Sequence, residues 1–115
     1  MSKNRDIDSV VDIYLAGNKV LKFSQNISLR NLEADEMRLS AILYQIGIIG
    51  EATKRFLSKF REQNSNIPWN KMAGMRDIIF HQYDRVVDIV WIVIKDELPE
   101  LLEKIEVLIP KNSDE

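Results

Sequence analysis

The sequence predicts an all-α protein, an antiparallel bundle of five helices that forms one domain over residues 1–115. Two observations carry this. Leu39, Ile42, Leu43, Ile46, Ile49, Gly50, Thr53, Phe56, Leu57 and Phe60 recur at intervals of one and three residues, which keeps them on one stripe at 3.6 residues per turn. Only four Gly and three Pro occur in 115 residues, with no Ser/Gly linker, so the chain reads as long helices with short joints. At this length one hydrophobic core is expected, without a separate regulatory domain.

The first helix, about Arg5 to Gln25, carries Ile7, Val10, Val11, Tyr14, Leu15 and Leu21 at helical spacing. The second, about Asn31 to Glu62, is the long amphipathic one. The polar turn Gln63-Asn-Ser-Asn66 follows, and Pro68 suits the first turn of a third helix ending near Phe80, because a first-turn residue needs no N–H partner. Val86 to Asp96 opens a fourth helix. Its β-branched run resembles a buried strand, but a lone strand has no partner elsewhere. Such an all-round apolar helix is expected to bury against its own core and a second subunit. Pro99 is a break, and Glu100 to Ile109 forms the last helix with Leu101, Leu102, Ile105, Leu108 and Ile109 inward. Met37, Met72 and Met75 read as core filler, Trp69 and Trp91 as core or dimer contacts, and Gly47 and Gly50 as close-packing positions. Glu51 reads as a solvated or capping group that could also support a cleft.

Composition removes several function classes. Zero cysteines exclude disulfides, thiolate zinc sites and cysteine nucleophiles, and one histidine is too few for most zinc sites within a protomer. No metal site and no cofactor are expected. The longest apolar stretch, Val86 to Ile94, is about half the length of a membrane span, and the charged N-terminus shows no secretory signal. A cytoplasmic location is expected. The net charge of −2 is uneven: Lys54 to Arg85 holds seven basic and three acidic residues. A basic middle on an acidic body suits a phosphate-rich ligand, though solvated helix faces have the same composition.

The densest set of chemically capable side chains is Arg76, Asp77, His81 and Tyr83. If helix persists to His81, Asp77 stands four residues before it and can hold the imidazole in its protonated form. Arg76 is five back, about 140° around an ideal helix, so convergence requires its long side chain or a helix that ends at the histidine. Past the helix, extended chain would put Tyr83 on the side of His81. The trio suits phosphodiester chemistry. Arginine neutralises the charge growing on a pentacoordinate phosphate, histidine exchanges a proton near neutrality, and RNA brings its own nucleophile in the 2′-OH. General acid and general base are two roles, so one histidine per chain implies a symmetric dimer. The same Asp-His spacing is also that of an ordinary surface ion pair.

Ile49-Gly-Glu-Ala52, Pro68-Trp69, Ala73-Gly-Met-Arg76, His81-x-Tyr83, Val90-Trp91 and Asp96-Glu-Leu-Pro99 together resemble the HepT family, HEPN-domain toxins paired with a minimal nucleotidyltransferase (MNT) antitoxin. The resemblance runs from the second helix to the last. It implies a HEPN-like homodimer acting as the toxin of a type VII-like pair, a metal-independent endoribonuclease that cleaves tRNA or mRNA. Arg76 and His81 would be its catalytic pair and Asp77 a supporting residue. Tyr83 would be the tyrosine that the MNT antitoxin modifies with AMP, using ATP as its own substrate, to silence the toxin. The alternative is a non-catalytic helical adaptor that positions a nucleotidyltransferase or its nucleotide.

Overall fold

Val10, Ile13, Ala16 and Val20 are buried along one face of the first helix, α1 (Ser2–Phe23). The computed structural model describes residues 2–81 and 85–110, with side chains for 5–77 and 85–110. The buried stripe of α1 is rotated from the expected one: Ile13, Ala16 and Val20 take its centre, while Leu15 is 54% exposed. The rotation follows from the neighbours of α1, which packs on α3 (Glu36–Lys54) and also on α7 (Leu98–Glu106), where a Cβ at Gly17 would stand 2.5 Å from Leu102 Cδ2. The helix ends where the Ser24 hydroxyl donates to the Val20 carbonyl at 2.8 Å and Asn26 turns the chain at φ 55°.

The long second helix is three pieces instead of one: α2 (Leu29–Ala34), α3 (Glu36–Lys54) and α4 (Ser58–Gln63). Ser28 caps α2 by accepting from the Asn31 N–H, and Asp35 caps α3 by accepting from the Arg38 N–H. Each cap satisfies a donor that the first helical turn leaves without a partner, a contribution of about 1 kcal/mol. The break at residues 55–57 is stapled by distant groups. The Leu57 N–H donates to the buried Asp6 carboxylate of α1 at 3.2 Å, and Arg61 Nη2 donates to the Thr53 carbonyl at 2.8 Å. The apolar stripe survives because Phe56 and Phe60 still turn inward. Their rings stack at 5.1 Å, and Phe56 meets Trp69 at 4.8 Å. Leu57 is 36% exposed and leaves the stripe.

That aromatic cluster holds the start of α5 (Trp69–His81), whose first helical bond runs from the Met72 N–H to the Pro68 carbonyl. The Trp69 indole N–H donates to the Asn64 carbonyl. The β-branched run is helical, as α6 (Val86–Ile92). Val86, Val90, Val93 and Ile94 are buried, and Ile92 is half exposed. Pro99 does not break the chain's course. The turn Val93–Glu97 widens to π geometry, with the Leu98 N–H reaching back to the Val93 carbonyl, and leads directly into α7 (Leu98–Glu106). A widened turn before a proline relieves its ring from the preceding carbonyls. Of the methionines, Met72 and Met75 fill the core and Met37 is 85% exposed, because it lies outward on the first turn of α3.

The described residues contain no strand, and the core lies where α3 is packed between α1 and α5. The all-α bundle is as expected; the count of five helices is corrected by the three-way division of the second. No described helix is long and apolar enough to cross a membrane.

Candidate active site

Gly50 brings α5 close to α3. A Cβ there would stand 3.3 Å from Arg76 Cβ and 3.5 Å from the Arg76 N, so the glycine sets the approach that places the arginine. Arg76 Nη1 lies 3.7 Å from Glu51 Oε2, one residue along α3, and Lys54 Nζ lies 3.8 Å from the same oxygen. Glu51 therefore belongs to the site, as the carboxylate between two cations. Its exposure, with both partners also in contact with solvent, keeps each pair worth well under 1 kcal/mol for stability. Its effect is on position: it holds a guanidinium at an open groove and can yield it to a stronger anion.

The groove runs along α3 and has a volume of about 790 Å³, within the range of small-ligand sites. Tyr44, Gly47, Ile48, Glu51 and Lys54 line it at helical spacing, joined by Arg5 from α1 and Arg76 from α5. Its described lining holds four cations, Arg5, Lys54, Arg55 and Arg76, and one carboxylate, Glu51. Gly47 does not serve close packing. A Cβ at that position would meet nothing within 4 Å, so the groove opens directly onto helix backbone. A second cavity of about 440 Å³ beside α5 and α7 is lined by Lys71, Glu97, Glu100 and Lys104, which pair with one another, and it lies away from Arg76.

Helix α5 is continuous through His81, so Asp77 and His81 stand four positions apart on one helix. Arg76 and His81 are about 7.5 Å apart along the helix axis. Asp77 is exposed. The His81 side chain and the whole of Tyr83 lie outside the described residues, so the structure places the backbone of the predicted set only as far as the histidine. Among the described residues no three His, Cys, Asp or Glu side chains cluster as metal ligands. Sequence reasoning undervalued Glu51 and did not name Tyr44 or Arg5. Positions 44, 47, 51 and 54 recur every three or four residues, a pattern that marks one helix face but not which partner it meets.

The family model "Ribonuclease HepT-like" matches residues 13–108 of this chain. The chain belongs to the HepT-like family. Putative RNase MJ1380 of Methanocaldococcus jannaschii is 32% identical over 110 residues, covering 94% of this chain and 100% of that protein. Putative RNase TTE0752 of Caldanaerobacter subterraneus subsp. tengcongensis is 36% identical over 88 residues, 76% of this chain and 79% of its own. Probable ribonuclease HepT of Thermococcus cleftensis is 33% identical over 102 residues, 88% of this chain and 93% of its own. No solved structure matches. This HepT-like chain thus carries Arg76 in a cationic groove on a helix that includes the sole histidine.

Proposed function

We propose that this HepT-like protein is an endoribonuclease toxin that cleaves cellular RNA without a metal ion, as a homodimer. The observation that carries the reading is the position of Arg76, 3.7 Å from Glu51 in a groove with a cationic excess, on the helix that also carries His81. A phosphodiester entering the groove displaces the weak carboxylate contact and takes the Arg76 guanidinium in a charge-assisted pair. One imidazole removes the 2′-OH proton, the 2′-oxygen forms a bond to phosphorus, and the P–O5′ bond breaks. A second imidazole, from the other protomer, protonates the leaving 5′-oxygen, so the products are a 2′,3′-cyclic phosphate and a 5′-hydroxyl. Arg76 stabilises the additional negative charge of the pentacoordinate phosphorus, which is its largest contribution. Asp77, one turn before His81, favours the imidazolium of the acid step.

Control by an MNT antitoxin acts on the same stretch of sequence. The Tyr83 hydroxyl, losing its proton, attacks the α-phosphorus of ATP and displaces pyrophosphate, which leaves an AMP phosphodiester two residues from His81 to compete with RNA for Arg76. The test is incubation of unmodified wild type and His81→Ala with total cellular RNA in EDTA, with Tyr83 verified as unmodified by mass spectrometry. Discrete fragments from wild type alone are expected. Intact RNA with folded, unmodified wild type would overturn the reading.

A further inference from the structure

Tyr44 is 69% exposed, an unusual position for an aromatic ring on the central helix of the bundle, and it opens into the groove that contains Arg76. One turn further along the same face is Gly47, a glycine in a helix interior, where it costs about 1 kcal/mol relative to alanine. Nothing packs against it: a Cβ there meets no atom within 4 Å. A flat aromatic, a bare stretch of helix backbone and flanking cations are what an unpaired nucleobase with its phosphates requires, since every base offers a π-face and every linkage a negative charge. We infer that the Tyr44–Gly47 face of α3 is a base-binding subsite, in which Tyr44 stacks an unpaired base of single-stranded RNA adjacent to the phosphate held by Arg76.

Charge complementarity commits the face to RNA: its described lining holds Arg5, Lys54 and Arg76 against Glu51, with Arg55 paired to Asp12, and RNA phosphates neutralise the remaining positive excess. The subsite deepens the ribonuclease reading, and it makes the substrate single-stranded at the point of cleavage, because a base within a duplex cannot reach Tyr44.

The experiment measures two quantities on wild type, Tyr44→Phe, Tyr44→Ala and Gly47→Leu. One is the affinity for a short unstructured 2′-O-methyl RNA, which lacks the nucleophile and survives. The other is kcat and KM on the same sequence as ordinary RNA. Tyr44→Ala is expected to weaken binding and raise KM about tenfold with little change in kcat, and Tyr44→Phe to restore both, because the ring and not the hydroxyl stacks. Gly47→Leu is expected to block the groove with equal loss while the fold stays at least as stable as wild type. Wild-type affinity in Tyr44→Ala would overturn the subsite, as would dissociation of a dimer on that substitution, which would assign the face to contact between copies. Failure of wild type to bind the RNA would overturn it too. Tyr44-dependent binding without any cleavage would keep the subsite and remove the ribonuclease reading; cleavage independent of Tyr44 would do the reverse.

Discussion

At the scale of single residues, two glycines three positions apart on α3 have opposite meanings. Gly50 is required by contact, since a side chain there meets Arg76 at 3.3 Å, and Gly50→Val is expected to destabilise the fold by about 1–3 kcal/mol and displace the arginine. Gly47 faces open space, so Gly47→Ala should raise stability by about 1 kcal/mol and Tm by about 4 °C, read by thermal denaturation. The sequence offers both as Ile-Gly pairs on one helix, and their spacing contains no signal that separates them. Arg76 and Glu51 show the same limit. Arg76 is identifiable from its spacing to His81, whereas Glu51 acquires its role only from a partner 25 positions away. Arg76→Lys is expected to lose at least tenfold in kcat with stability unchanged, because an ammonium cannot hold two phosphate oxygens in the planar fork of a guanidinium. Equal kcat for the lysine variant would remove the arginine from the chemistry.

At the scale of elements, helical periodicity is legible in the sequence, whereas the interruptions and the buried face of α1 are not. The stripe from Leu39 to Phe60 continues across the break after Lys54, since Phe56 and Phe60 still point to the core. At the break the Asp6 carboxylate, 51 positions earlier, accepts the Leu57 N–H. Asp6→Ala should therefore cost about 1–3 kcal/mol, by leaving a part-buried backbone donor without its acceptor, whereas Asp12→Ala, which breaks an exposed pair with Arg55, should cost less than about 1 kcal/mol. Urea denaturation of the two variants measures the difference. The π turn presents the same problem in reverse. Pro99 suggests a break, yet the widened turn before it preserves helical continuity, and Lys71 of α5 clips that turn through Glu97 at 2.9 Å. The hydrogen bond and charge of Glu97 raise the Lys71 pKa above its ordinary value, so the lysine side of the clip is charged at neutral pH and is lost as alkaline pH deprotonates the amine.

At the scale of the whole molecule, one histidine per chain and two proton transfers per turnover make the proposed enzyme an obligate dimer. Co-expressing wild type with an equal amount of His81→Ala should then leave about a quarter of wild-type activity, since only dimers of two intact chains work, while independent protomers would keep about half. The measurement is specific activity of the purified mixture. By itself the sequence determined the all-α class and the position of the Arg76–His81 motif, because periodicity, glycine and proline content and short spacings are local properties of the chain. Only the tertiary structure decided where the long helix divides, which glycine is a contact, and that Arg5, Tyr44, Glu51 and Lys54 share a groove with Arg76. Those facts arise from contacts between groups tens of residues apart, and local spacing along a helix specifies a face without specifying what that face meets.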